Sequence, residues 1–390
     1  MNGGTRRRTA AAGAVAALTL FATAACGSSD TPKAAPAPSP TAVTASPSSA
    51  LALPGGLGLP SLNDLKHWKL SDWDSWAKQH AIPQAVKGFW NLQKMLQAKP
   101  NDPVVPPQQP TGGSSSGTGS STGGSSDTDP LPAPIAAEAV PHPYAQNAVD
   151  GKLFFDISSS QHAVCSATVI SDPQHPGKSN LIWTAGHCIT SGKSGQQYSN
   201  LAFVPAFNSS GAVSGGQQPT SQSQFAPFGV WDATQAISSP QWYAEGSETG
   251  GPASQCDFAI IRVQNENGNG KSLEETVGGS VPVWFNAPRD QLKITAVGYP
   301  AAPPFNGTQM ERCAGGQASR ISFDTSRPAM NVIGCGMTAG SSGGGWFADR
   351  GGKPALVSNT SIGPQESGWL AGPYLDDVAQ SALDYISKKS

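Results

Sequence analysis

From about residue 140 onward, apolar runs too short for helices recur at close intervals, at 152–157, 164–170, 181–184, 201–205, 258–263, 281–285, 292–297, 318–323 and 355–358. Clusters of Gly, Pro, Asn and Ser punctuate them, which is the pattern of short strands joined by tight turns. Such strands cannot bury a core singly, so this region is predicted to be an all-β sandwich or barrel assembly. About 250 residues are enough for two small barrels. The chain closes with a predicted helix, because Leu375, Val378, Ala379, Ala382, Leu383 and Ile386 follow i, i+3, i+4, i+7, i+8, i+11.

The first third is built differently. Gly (45) and Pro (34) make up about a fifth of the 390 residues without a collagen-like period, and 18 of the prolines fall at or before Pro143. Charged residues are 13% and the net charge is -2, so no electrostatic footprint for nucleic acid and no polybasic surface for anionic lipid is present. Arg6, Arg7 and Arg8 precede a short apolar run over 14–23 and then small residues, the layout of a secretory signal. Its end, Thr23-Ala24-Ala25-Cys26, resembles the bacterial lipoprotein cleavage site, which implies a lipid anchor on Cys26 as the only membrane attachment. Cleavage after Ala24 would instead leave Cys26 as a thiol near a soluble N-terminus. The arginine run also resembles part of a twin-arginine signal, which leaves the export route open.

Residues 27–60 are Ser/Ala/Pro-rich and read as an extended tether, having too little apolar surface to offset the entropy of ordering. Residues 61–100 then hold Trp68, Trp73, Trp76 and Trp90, four of the chain's ten tryptophans. Ser71 with Asp74, Pro83, and the spacing of Val86, Phe89 and Trp90 predict two short amphipathic helices. Three uses fit this segment: a propeptide-like element, a module docking a protein partner or the cell wall, or a clasp lying on the main domain. Residues 101–137 read as a second linker, Gly/Ser/Thr-rich over 112–126, leaving 138–390 as the main domain.

Three stretches of that domain carry chemistry. Thr184-Ala185-Gly186-His187-Cys188 follows an apolar run, Asp257-Phe258-Ala259-Ile260-Ile261 begins another, and Gly340-Ser341-Ser342-Gly343-Gly344 is a glycine-rich loop holding serines. In the order His, Asp, Ser they resemble the chymotrypsin-like, or trypsin-like, serine peptidases. The stretches at 151–155 and 165–167 resemble the bacterial secreted branch that includes the glutamyl endopeptidases. The resemblance covers residues from about Val140 to the C-terminus. It implies two six-stranded antiparallel β-barrels with a C-terminal helix, a polypeptide substrate, and no cofactor.

Each residue type suits its implied role. A serine hydroxyl needs a base to take its proton as it attacks a carbonyl carbon, so Ser342 would depend on His187. Asp257, buried beside the ring, would hold the useful tautomer and stabilise the imidazolium. The N–H groups of Gly340 and Ser342 would receive the oxyanion, each donor contributing about 3 to 4 kcal/mol to transition-state binding. The resemblance further places Ser358 where a serine supports the aspartate, with Asn359, Thr360 and Ser361 lining the substrate strand.

The remaining histidines, His67, His80, His142, His162 and His175, all precede His187, and His162 and His175 read as structural or solvated. Asp232 and Ser341 are the local alternatives to Asp257 and Ser342. By the resemblance, Cys165 pairs with Cys188 and Cys313 with Cys335; if Cys26 is lipidated, Cys256 remains unpaired beside Asp257. No cysteine and histidine spacing suits zinc. Ser341 stands where pancreatic-type enzymes carry aspartate, so activation by a salt bridge to a new N-terminus is not expected. Gly345 replaces the family's usual proline. Gly336 or Met337 at the base of the specificity pocket argues against cleavage after basic residues, and the lack of histidine beyond His187 argues against histidine-assisted glutamyl specificity. Small or apolar side chains at the cleavage site are the expectation. The competing class is a catalytically silent lipoprotein of the same fold that binds or scaffolds at the cell surface.

Overall fold

The structure is a computed structural model and describes residues 60–103, 105, 127–144, 148–214, 219–268, 270–366 and 368–389. The signal, Cys26, all but the last residue of the first tether, and the Gly/Ser/Thr run of the second lie outside the described residues.

Three short helices come first: α1 (Leu62–Lys66), α2 (Leu70–Gln79) and α3 (Leu92–Gln97). Ser61 and Asp64 form the capping box of α1, and Asn91 caps α3 by accepting from the Lys94 N–H. The predicted helix around Val86–Trp90 is not formed. Gly88 adopts φ +72° there, and the chain becomes helical only after the Asn91 cap. Trp73, Trp76 and Trp90 are buried against the main domain. Trp73 Nε1 donates to Ser381 Oγ at 2.7 Å and Trp90 Nε1 to the Asn200 carbonyl at 2.6 Å.

The strands follow as β1 (Lys99–Pro100), β2 (Glu138–Ala139), β3 (Asp150–Ser158), β4 (Gln161–Ile170), β5 (Leu181–Thr184), β6 (Ser199–Pro205) and β7 (Trp231–Ser238). After α4 (Pro240–Glu245) come β8 (Ala259–Asn265), α5 (Leu273–Val277), β9 (Lys293–Gly298), β10 (Glu311–Gln317), β11 (Ser319–Ile321) and β12 (Met330–Cys335). The chain ends in β13 (Gly345–Asp349), β14 (Pro354–Asn359), β15 (Gly368–Gly372) and α6 (Asp377–Lys388).

Six of these strands close a barrel in the order β4-β3-β6-β7-β8-β5, with β5 returning to β4 through Thr168–Trp183 and its neighbours. Closure removes the free edges that short strands would otherwise expose. β1 adds to this barrel alongside β4, and the other strands form a five-stranded sheet, β14-β13-β9-β10-β2, and a three-stranded sheet, β11-β12-β15. These two share a core of Ile294, Ala296, Ile333, Trp346 and Leu370 and are joined by the Cys313–Cys335 disulfide. The expected second six-stranded barrel is thus two sheets around one core, and their hydrogen bonds do not close a ring. The run at 281–285 makes only isolated bridges, Ile170–Val281 and Val283–Leu356, because Pro282 has no N–H to donate to a ladder.

Asp376 caps α6 through the N–H groups of Val378 and Ala379, and the predicted apolar stripe packs on the barrel. The ends of the expected second linker are not free chain: directly after β1, which pairs in parallel with β4, Asn101 Nδ2 donates to the Tyr198 hydroxyl, and Asp129 grips Arg320 through both carboxylate oxygens.

One buried charge stands apart from the core. Lys152 is 4% exposed, gives its Nζ to the Gly307 carbonyl at 2.8 Å, and lies over the rings of Phe154 and Phe207. Burial pulls its ammonium down to about 7. The unfolded chain keeps that proton up to its ordinary value of 10.5, so the folded state gains stability as pH rises through that window. Relative to Lys152→Met, the wild type should gain up to about 1.4 kcal/mol per pH unit above 7 in denaturant unfolding. Parallel pH profiles for the two proteins would rule this out.

Candidate active site

His187 sits in a 3-10 turn, Gly186–Cys188, immediately after β5, and the Cys165–Cys188 disulfide fastens that turn to β4. Asp257 follows the turn Pro252–Cys256 and precedes β8, which pairs with β5. Neighbouring strands therefore bring the two together. Asp257 Oδ1 accepts from the His187 backbone N–H at 2.9 Å, and Oδ2 meets His187 Nδ1 at 2.7 Å. Oδ2 also accepts from Ser361 Oγ at 2.6 Å, and Asp257 is fully buried. The ring of Trp242 closes one side of the imidazole, with centroids 6.0 Å apart.

Burial works against the imidazolium, but the Asp257 charge, its hydrogen bond and the charge of Asp102 outweigh it, so the His187 pKa stands above its ordinary value. His162 and His175 instead pair with Asp156 at 2.6 Å and Asp172 at 3.1 Å. Asp232, the local alternative to Asp257, lies on β7 opposite Ala202 and Gln264.

The serine loop joins β12 to β13. Gly340 and Gly343 take φ +98° and +78°, and a Cβ at Gly343 would lie 2.1 Å from Thr184 Oγ1 and 2.4 Å from the Ser166 carbonyl. Glycine is required by both the backbone angle and the close approach. Ser166 clamps the loop: its N–H donates to the Ser342 carbonyl at 2.7 Å and its Oγ to the Gly340 carbonyl at 3.0 Å. Ser341 turns its hydroxyl back to the Thr338 carbonyl at 2.8 Å, whereas the Ser342 hydroxyl faces the cleft.

What it meets there is Asp102. Ser342 Oγ donates to Asp102 Oδ1, and the Gly340 N–H donates to Asp102 Oδ2 at 2.9 Å. His187 Nε2 is buried without a hydrogen-bond partner among the described residues. Burial raises the Asp102 pKa, against the opposing pull of the His187 charge and the bonds from Ser342 and Gly340.

Two further expectations about the site need correcting. Ser358 does not support the aspartate: its Oγ donates to the Pro373 carbonyl at 2.8 Å, and Ser361 makes the bond to Asp257. Nor does Asn359 present its side chain to a substrate. It is fully buried, accepting from Trp183 Nε1 at 2.9 Å and donating to the Asp257 carbonyl at 3.1 Å.

Thr360 and Met337 line a cavity of about 240 Å³ beside Ser342, together with Thr338, Ala339, Ile362 and Leu370. Asp102 is the one charged residue of the lining. Gly336 faces the backbone of residues 135–137 and is not part of that lining.

Cys256 is a buried free thiol, its pKa pushed up to about 12 by burial. The sulfurs of Cys165 and Cys188, the one group near His187 with metal-like spacing among the described residues, are tied to each other.

A closed six-stranded barrel, with a histidine and an aspartate at the ends of adjacent strands and a serine in a glycine-rich loop beside them, defines the class of serine peptidases. The chain is similar to the thermostable serine protease AL20 from an extremophilic microorganism, with 31% identity over 63% of this chain and all of that one, and a TM-score of 0.51. It is likewise similar to the protease Anisep from Arthrobacter nicotinovorans, with 31% identity over 65% of this chain and all of that one, and a TM-score of 0.50. No protein-family model and no curated protein matches the chain. It belongs to the chymotrypsin-like, or trypsin-like, serine peptidases.

Proposed function

We propose that this chain is a secreted serine endopeptidase that cleaves peptide bonds through His187, Asp257 and Ser342 by way of an acyl-enzyme. The observation that carries the reading is the Asp257 carboxylate holding both the backbone and the Nδ1 of His187 in a buried site next to Ser342. With Nδ1 committed to Asp257, Nε2 is the basic nitrogen, and it takes the Ser342 proton as Oγ attacks the substrate carbonyl. The Oγ–C bond forms, and the tetrahedral oxyanion is received by the N–H groups of Gly340 and Ser342. Collapse expels the amine, which takes the proton back from His187, and leaves the acyl group on Ser342. Water then repeats the sequence and releases the acid.

Apart from Asp102, the walls of the 240 Å³ cavity are uncharged, and once that carboxylate is displaced they favour an uncharged side chain of small or medium size at the cleavage site, since an ionised group would enter without a partner. Export is supported by the Arg6–Arg8 signal and by two disulfides, which persist in oxidising compartments; Cys26 is the proposed lipid attachment point. No helix among the described residues is long and apolar enough to cross a membrane.

The second reading, a silent binding protein of the same fold, draws support from one contact: Ser342 Oγ donates to Asp102 and not to His187. The two readings separate under a fluorophosphonate probe applied to the wild type and to Asp102→Ala, with the adduct located by peptide mass spectrometry. An adduct on Ser342 that vanishes in Ser342→Ala supports the peptidase. No adduct in either protein, under conditions where a known serine peptidase reacts, favours the binding protein.

A further inference from the structure

We propose that residues 99–103, together with Val105, are an intramolecular inhibitor of the catalytic site, and that the Asp102 carboxylate is the group occupying it. The proposal rests on the serine peptidase reading and adds to it what holds that site shut.

The segment is built into place at both ends. Upstream, Lys99 and Pro100 pair with Ala163 and Val164 of β4, and Asn101 Nδ2 donates to the Tyr198 hydroxyl at 3.1 Å. Downstream, Val105 is 6% exposed in an apolar cluster with Ile321, Met330, Val332, Ile362 and Trp369. The strap therefore starts on the closed barrel, crosses the reacting atoms and ends on the three-stranded sheet. Trp73 and Trp90 seat the helices before it, so the strap is held at high effective concentration.

The carboxylate meets each reacting group in a way that stops the chemistry. Its Oδ2 accepts the Gly340 N–H, a donor the catalytic step needs for the oxyanion. Its Oδ1 accepts the Ser342 proton, which is thereby turned away from His187 Nε2. Its charge favours the His187 imidazolium, and a protonated ring cannot serve as the base. The strap is also a poor substrate. The carbon facing Ser342 belongs to a carboxylate, whose delocalised negative charge makes it a weak electrophile, and attack would load a second negative charge onto its oxygens.

On the histidine side only about 30 Å³ of space remains between Asp102, Pro103, His187 and Trp242. The 240 Å³ cavity stays open. The strap thus blocks the reacting atoms, and its Asp102 and Pro103 form part of the wall of the cavity beside them without filling it.

The test is the rate of fluorophosphonate labelling of Ser342 at pH 7 in the full-length wild type, Asp102→Asn, Asp102→Ala and Val105→Ser. Removing a charge-assisted contact is expected to raise the rate about 10- to 100-fold in Asp102→Ala, with Asp102→Asn intermediate. Val105→Ser unseats the downstream anchor without altering the carboxylate, and should also label faster than the wild type. Equal rates in all four proteins would discard the inhibitor and leave the peptidase standing. No labelling in any of them would overturn the peptidase reading itself, and the inhibitor with it.

Discussion

Asp257→Asn is expected to lower kcat/KM about 10⁴-fold on the Asp102→Ala background, where the strap no longer masks the site. The loss has a geometric origin. Asp257 accepts three bonds, from the His187 N–H, the His187 ring and Ser361 Oγ, and an amide offers only one accepting oxygen. When the amide nitrogen faces Nδ1, the ring must carry its proton on Nε2, and the nitrogen beside Ser342 is no longer a base. When the oxygen faces Nδ1 the tautomer is kept, but the imidazolium formed during attack loses its countercharge.

The pH profile separates this from a loss of folding. Burial works against the His187 proton while the Asp257 charge and hydrogen bond hold it, so in the Asp102→Ala background the acid limb of kcat/KM should follow the His187 pKa, activity appearing as pH rises through it. Replacing Asp257 removes the main charge holding that proton, so the limb should move to lower pH as the plateau falls. An unchanged limb together with a small rate loss would remove Asp257 from the proposed triad.

Much of this site was legible in the sequence because its residues lie in short local patterns. The glycines flanking Ser342 announce a backbone that turns too sharply for other residues, and Ala-Gly-His-Cys and Asp-Phe-Ala-Ile-Ile each sit at a strand end. The strands found were those rich in Val, Ile, Leu and Phe. β12 was missed although it carries Val332 and Ile333, because Asn331 and Gly334 cut its apolar run short, and others had different reasons to form. β7 reads Trp-Asp-Ala-Thr-Gln-Ala-Ile-Ser and is held by pairing with β6 and β8 more than by propensity. β10 carries Gly315 and Gly316 at a register shift against β9, which breaks the alternation that marks a strand.

The exchange of Ser358 for Ser361 is a matter of register. A resemblance locates a strand more securely than the residue within it, and a slip along a strand changes which side chain faces the aspartate. Asp102 left no signal at all. Asn101-Asp102-Pro103 opens the linker that follows the helical segment, and only long-range contacts, the pairing of β1 with β4 and the burial of Val105, carry it to a serine 240 residues away.

Gly343→Ala is expected to cost about 3 kcal/mol or more of stability and at least about 100-fold in kcat/KM. At φ +78° an alanine loses about 1 to 2 kcal/mol to its own backbone before any contact is considered. The added methyl would also stand 2.1 Å from Thr184 Oγ1, 2.4 Å from the Ser166 carbonyl and 3.0 Å from the Ala185 nitrogen. Two of those atoms are backbone of the closed barrel, adjacent to the turn bearing His187, and yield less readily than the serine loop. The loop must therefore retreat. Its retreat breaks the 2.7 Å bond from the Ser166 N–H to the Ser342 carbonyl and the 2.7 Å bond from the Gly343 N–H to the Thr360 carbonyl. Ser342 moves with it, and a shift of about 1 Å at the proposed nucleophile is enough for the expected loss of rate. Adding Thr184→Ala distinguishes the causes. If the hydroxyl were the main obstacle, the double variant would regain most of the stability in thermal unfolding. Because the Ser166 carbonyl and the backbone angle remain, it should recover less than half, and near-complete recovery would show that the loop's glycine is needed for side-chain clearance alone.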